Sequence, residues 1–285
     1  MTKKSKKRTG NKRHGIKPWR QLKFFGKVWR VIWVSIIALW ALSLFLVFLY
    51  KFINPPITPL MIHRFNQQLL DKDRKVVFER DYVPIENISQ NLIDAVVASE
   101  DGNFLHHHGF DVRQLKQSYR ENKLGRRVRG GSTISMQTAK NAFLPHHRSM
   151  LRKAFEAYFT QLIEWVWGKE RIMECYLNII EFGDGIYGCE AAAQHYYGHS
   201  AANLSKREAA QLAVTLPSPL KRNPNHTTPK FRSQTEVIIG RTSKYGHIRV
   251  ENWRKVQARD KEKGKHQETI WDFVKWYVEQ EKKGK

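Results

Sequence analysis

The pattern of apolar and polar positions along the chain divides it into a basic lead-in, one long apolar run and a series of shorter amphipathic stretches. Val31 to Tyr50 is twenty residues without a charge. At 1.5 Å per residue that is roughly 30 Å of helix, the thickness of a bilayer's hydrocarbon core. Trp29, Trp33, Tyr50 and Lys51 flank it as interface anchors. Asn54 to Leu60, with three prolines, reads as a short stiff connector. From Met61 onward the periodicity is mostly that of a helix, and only Val76–Phe78 and Tyr82–Val83 suggest extended chain.

Several helices are explicit. Ser89 opens a run in which Leu92, Val96 and Glu100 fall at i, i+4 and i+8 on one face. Phe155, Phe159, Leu162 and Val166 form the stripe of a helix over 148–167 closed by Gly168. Lys169 to Phe182 reads as a further helix ending at Gly183, and Glu190 to Tyr197 as another. Ser205 and Glu208 form a capping box before a short helix that Pro217 stops. Residues 217–262 read as basic and loop-rich. Near the end Ile270, Phe273, Val274, Tyr277 and Val278 share one face, suited either to a membrane surface or to docking on the domain.

Charge alters this picture. The net charge is +24, and residues 1–30 hold twelve Lys or Arg with no acid, leaving 38 basic against 26 acidic residues in the rest. Positive charge before the apolar run predicts a cytoplasmic N-terminus, with everything after Lys51 on the outer face. The remaining basic bias calls for an anionic partner or surface. Nucleic acid is excluded as that partner by the apolar span and by the lack of a helix-turn-helix or zinc-finger pattern. Cys175 and Cys189 lie in apolar surroundings and read as buried free thiols.

Other chemistry fails on spacing. Gly125 to Ser132 approaches a phosphate-binding P-loop, but Gly131 stands where the motif demands Lys. His106–His108 and the His195/His199 pair lack the companions of a zinc site. Ser218-Pro-Leu-Lys221 matches S-x-x-K formally, but Pro219 breaks the helix that motif needs and no K-T-G follows. What remains is Glu100 and Asp101 at a helix end. There, the helix dipole and partial burial both push a carboxylate's pKa upward, as a proton acceptor requires. A Gly-Gly-Ser-Thr turn and the cations Lys140, Arg148, Arg152 and Lys153 around Glu156 follow it.

Taken in order, E-D-x-x-F-x-x-H-x-G-F-D at 100–111, G-G-S-T-I-S-x-Q at 130–137, R-K-x-x-E at 152–156 and R-I-M-E-x-Y-L-N at 171–178 resemble the peptidoglycan glycosyltransferases. The likeness is strongest to the monofunctional, membrane-anchored members without a transpeptidase domain, and it runs from about Pro55 to Pro224. Met136 stands where the family usually has Gln. The resemblance implies a mainly α, lysozyme-like domain of two lobes at 61–224, after a cytoplasmic tail (1–30), a transmembrane helix (31–50) and a connector (51–60). A basic extension over 225–285 would follow. It implies polymerisation of lipid II into β-1,4-linked glycan by an inverting displacement that releases undecaprenyl pyrophosphate, on the outer side of a bacterial inner membrane. Its partners would be lipid II, the growing glycan, the bilayer and other cell-wall proteins, and not nucleic acid.

By the same resemblance Glu100 is the base and Glu156 acts at the donor site, placing the pyrophosphate or a divalent cation (Mg or Mn) with it. No organic cofactor is implied. Lys140, Arg148, Arg152 and Lys153 would meet the leaving charge, and Ser132, Thr133 and Gln137 would position it. Asp101, Phe104, His107, Gly109 and Asn178 would support the site. The competing reading is a lysozyme-like hydrolase or lytic transglycosylase that uses Glu100 on finished glycan.

Overall fold

A computed structural model of the chain describes residues 24–125, 130–147, 149–264 and 268–283. The chain divides into two compact units, Met1–Leu46 and Val47–Lys285. Helix α1, Phe24–Phe52, begins in the first. Its mean hydropathy reaches 2.6, and by length and composition it is able to cross a membrane.

The second unit is mainly helical. After α1 come α2 (Pro59–Leu70), α3 (Gln90–Glu100), α4 (Val112–Lys123), α5 (Ile134–Phe143), α6 (Met150–Val166) and α7 (Lys169–Ile179). Then follow α8 (Cys189–Tyr197), α9 (Lys206–Thr215), α10 (Pro229–Tyr245), α11 (Trp253–Glu262) and α12 (Ile270–Lys283). Side-chain caps start many of them: Ser89, Asp111, Thr133 and Ser149 each accept from a backbone N–H in the first turn of α3, α4, α5 and α6. Three short strands, β1 (Glu79–Arg80), β2 (Glu181–Gly183) and β3 (Ile186–Tyr187), form a sheet in the order β1-β3-β2, with β3 parallel to β1 and antiparallel to β2. Gly185 makes the β2–β3 turn at φ +80, where a Cβ would lie 2.1 Å from the Val77 carbonyl oxygen.

The expected one-sided stripe of α3 proves too modest. Every residue from Leu92 to Ala98 is buried, because α9 and α10 pack on α3 together. Burial of each such aliphatic side chain contributes about 1.5–3 kcal/mol, so the helix is firmly held up to its last turn. On its other side the core is built by α5 against α6 and α7, around Ile134, Ala139, Ile163, Ile172 and Met173.

Two expectations are corrected here, and one choice left open is decided. The helix from Lys169 ends at Ile179, and Glu181–Gly183 is a strand. Residues 217–262 are not loop-rich but contain α10 and α11, so the folded domain continues past residue 224. Finally, α12 docks on α4: Tyr119 meets the rings of Trp276 and Tyr277 at centroid distances of 5.4 and 5.2 Å. Ile270 and Phe273 pack on a cluster of Phe110, Val112 and Met136, so the methionine serves this apolar contact.

The chain leaving α1 is tied to the domain through backbone carbonyls. Trp167 donates its indole N–H to Val47 O at 2.7 Å, and Arg171 reaches Tyr50 O at 2.8 Å and Ile53 O at 3.2 Å. The guanidinium of Arg80 holds the carbonyls of Pro55 and Pro56. Both cysteines are buried and free.

Candidate active site

Glu100 is the last residue of α3, delivered by a buried helix to the wall of a cleft of about 820 Å³. Its Oε2 accepts from Gln137 Nε2 at 2.8 Å, and the buried Tyr176 hydroxyl stands 3.5 Å behind the amide oxygen of Gln137. Burial raises the Glu100 pKa, and the neighbouring Asp101 charge adds to this. Gln137, Arg222 and Lys140 pull the other way without cancelling it. The net direction is upward, as a base working near neutral pH requires.

Asp101 faces inward at 2% exposure. Its Oδ2 accepts from Ile134 N–H at 3.0 Å, in the first turn of α5, and lies 3.0 Å from His107 Nε2. Gly109 N–H points at His107 Nδ1 at 3.1 Å, so that nitrogen is the acceptor and Nε2 carries the proton donated to Asp101. The Thr133 hydroxyl donates to Gly109 O at 2.6 Å and accepts from Met136 N–H at 3.1 Å. Gly109 sits at φ +92 with Thr160 Cγ2 only 2.9 Å from where a Cβ would be, so both conformation and space demand glycine. These bonds join the 101–111 loop to the start of α5, the helix that also carries Gln137 and Lys140.

Beneath the loop lies a buried charge pair that the sequence did not announce. Lys169, fully buried, binds Glu164 Oε1 at 2.6 Å and lies 4.6 Å from the centroid of the Phe104 ring. Glu164 also accepts from the Ser135 hydroxyl. Asn178, also buried, exchanges hydrogen bonds with the backbone of Val83 and so pins the 82–85 segment to α7.

Lys140 lies one turn beyond Gln137 on α5. Burial lowers its pKa; the charges of Glu156 and Glu100 raise it, while Arg152 and Lys153 lower it further. Lys140 therefore sits in the field of both carboxylates, and among the described residues it forms no hydrogen bond or ion pair. Arg152 pairs with Glu156 Oε2 at 2.7 Å, and Lys153 binds the other oxygen. Arg148 falls outside the described residues.

Two site assignments change. Thr133 is 2% exposed with its hydroxyl engaged twice, so it caps α5 and does not face the cleft, whereas Ser132 and Gln137 line it. Glu156 is also 2% exposed with both oxygens taken by cations, so it orients Arg152 and Lys153 and offers no oxygen to a ligand. The histidines outside the motif have separate partners: His106 meets Asp260, His195 meets Glu79 and His199 meets Glu208. His199 lies beyond the α8 cap at Gly198, so it does not share a helix face with His195. Sequence reasoning missed Arg222, Lys230 and Arg241 in the cleft wall. A signal existed for the α10 part, since Lys230, Gln234 and Arg241 fall at i, i+4 and i+11 on one helical face.

A family model described as Transglycosylase matches residues 66–243. The chain belongs to this family. The match runs through α10, in keeping with the place of that helix in the cleft wall. Among similar proteins is a biosynthetic peptidoglycan transglycosylase of Caulobacter vibrioides, 52% identical over 175 residues, covering 61% of this chain and 73% of the relative. Proteins of the same name from Aeromonas hydrophila and Nitrosospira multiformis are 43% and 40% identical over 200 and 217 residues. The matched stretches cover 70% and 75% of this chain and 84% and 94% of those relatives. The mainly α, lysozyme-like class read from the sequence holds for this transglycosylase domain.

Proposed function

We propose that this transglycosylase is a membrane-anchored peptidoglycan glycosyltransferase that polymerises lipid II for the cell wall. The growing glycan is the donor and an incoming lipid II the acceptor. One observation carries the reading: α5 carries both Gln137, bonded to the buried Glu100 carboxylate, and, one turn on, Lys140, which feels the charges of Glu100 and of the Glu156–Arg152–Lys153 cluster. A base and a set of cations thus act on one lysine, as a displacement with an anionic leaving group needs.

The acceptor's 4-hydroxyl gives its proton to Glu100 as its oxygen attacks the anomeric carbon. The bond from that carbon to the pyrophosphate oxygen breaks on the opposite face, inverting an α linkage to β-1,4. Negative charge accumulates on the departing lipid pyrophosphate, and Lys140, Arg152 and Lys153 receive it. Lys140 is the most effective of these because it is partly removed from water, where a charge interaction is less screened. Gln137 holds the Glu100 carboxylate in place to take the proton, and Asp101 fixes the loop that follows Glu100 to the start of α5. Glu156 has both oxygens occupied, and among the described residues no three His, Cys, Asp or Glu side chains gather to hold an ion. On this reading the chain's own Lys140, Arg152 and Lys153 supply positive charge to the leaving group.

The helix α1 would anchor the enzyme, with its basic lead-in on the cytoplasmic side and the catalytic unit outside. A basic outer unit suits an anionic lipid surface as well as a pyrophosphate. The test is a lipid II polymerisation assay on the full chain and on Glu100→Gln. Long glycan from the parent with near-total loss in the variant is the expected result. A protein that makes no polymer and only shortens isolated sacculi would instead be a hydrolase.

A further inference from the structure

Several buried or half-buried cations of the second unit have a carboxylate: Arg152 and Lys153 share Glu156, Lys169 has Glu164, Arg171 has Glu174 and Arg64 has Glu181. Arg222, Lys230 and Arg241 differ. They line the same 820 Å³ cleft as Glu100, and among the described residues none of them forms an ion pair. Two are fixed by backbone oxygens instead: Arg222 donates to Val214 O at 2.7 Å, and Arg241 to Ala98 O at 3.4 Å, next to the end of α3. Lys230 and Arg241 lie on one face of α10, eleven residues apart, which is roughly 16 Å of helix. The facing side of the cleft is supplied by α4 and is different in kind, with the neutral amides of Gln114 and Gln117 and one carboxylate, Glu121.

This is a groove with one wall of neutral amides and a single carboxylate, suited to hydroxyls and acetamido groups, and one wall of three cations that form no ion pair among the described residues. On the polymerase reading the leaving pyrophosphate is met by Lys140, Arg152 and Lys153, which leaves these three cations for another anion. The substrate has a second source of negative charge: the peptide carried on alternate sugars of the glycan, which bears free carboxylates. We propose that Arg222, Lys230 and Arg241 bind the peptide carboxylates of the glycan strand lying in the cleft, an inference that rests on the polymerase reading above. Glu121 on the opposite wall repels the same carboxylates and so sets which way the peptide faces. The polymer would thereby be held by charge along its peptide edge, while its sugar edge stays free to slide past the amides between additions.

The test compares lipid II carrying free peptide carboxylates with lipid II in which they are converted to carboxamides, a nearly isosteric change that removes the charge. For the parent enzyme the kcat/KM ratio of acid to amide substrate is expected to be about tenfold, equivalent to about 1.4 kcal/mol. In Arg222→Gln/Lys230→Gln/Arg241→Gln the ratio falls to near one. Lys230→Gln alone, at an exposed position that does not threaten folding, lowers the ratio two- to threefold, and Lys230→Arg retains it. A parent ratio near one overturns the proposal, as does a ratio that survives the triple substitution. Equal losses on both substrates would assign these cations to the diphosphate or the sugars and overturn it too. Failure of the polymerase reading looks different, since the parent would then make no polymer from either substrate.

Discussion

Gln137 donates from Nε2 to Glu100 Oε2 across 2.8 Å, linking the second turn of α5 to the last residue of α3. This bond favours the ionised carboxylate and so opposes the burial that raises the Glu100 pKa. The base must be ionised to accept a proton, so the rate rises with pH through its pKa. Gln137→Leu removes the opposing bond, moves the pKa further up and shifts the acid limb of kcat/KM to higher pH. The expected loss relative to the parent is several-fold larger at pH 6 than at pH 8, read from polymerisation rates across that range. A loss that is flat with pH would assign Gln137 to substrate contact alone.

Removing Lys140 tests the leaving-group side. Lys140→Ala is expected to lower kcat by about a hundredfold or more, the scale seen when one preorganised group facing a developing charge is deleted. Thermal unfolding should be little changed, since Lys140 forms no hydrogen bond among the described residues. A rate within a few-fold of the parent would refute its role.

Asp101 is expected to matter for stability first. Asp101→Ala strips the acceptor from Ile134 N–H and from His107 Nε2, both of them buried. Each unsatisfied donor costs about 1–3 kcal/mol, so urea unfolding should show a loss of about 3 kcal/mol. Asp101→Asn keeps one acceptor oxygen and should lose less.

The Lys169–Glu164 pair offers a contrast between breaking and replacing. Lys169→Met leaves Glu164 charged in the interior and should cost about 3–5 kcal/mol in urea unfolding. Lys169→Met/Glu164→Gln removes both charges and should recover a large part of that. A double variant no more stable than the single one would show that packing, not the stranded charge, sets the cost.

The elements that carry the chemistry were legible because local rules decide them. Glu100 ends an apolar run, and Ser89 and Ser205 each sit where a cap belongs, so α3 and α9 could be placed from spacing alone. Burial decided by distant chain was not legible. Glu156 beside Arg152 and Lys153 reads as a solvated face or a ligand, and only the packing of α6 on α5 puts it inside. Helix α10 escaped notice for a related reason. Its buried positions are Phe231, Thr235, Ile238 and Thr242, and the two threonines hide a stripe that is correctly spaced. With α10 unread, the cationic wall it contributes was unread too.

The carbonyl ties between residues 47 and 56 bear on how a water-soluble fragment should be cut. A fragment starting at Thr58 would look tidy, since it begins at the N-cap of α2, yet it strips acceptors from Trp167, Arg171 and Arg80 at once. A buried indole N–H and two guanidinium groups would be left to find water. Starting at Val47 keeps all three satisfied while discarding most of the apolar helix, so the proper edge of the catalytic body lies inside α1.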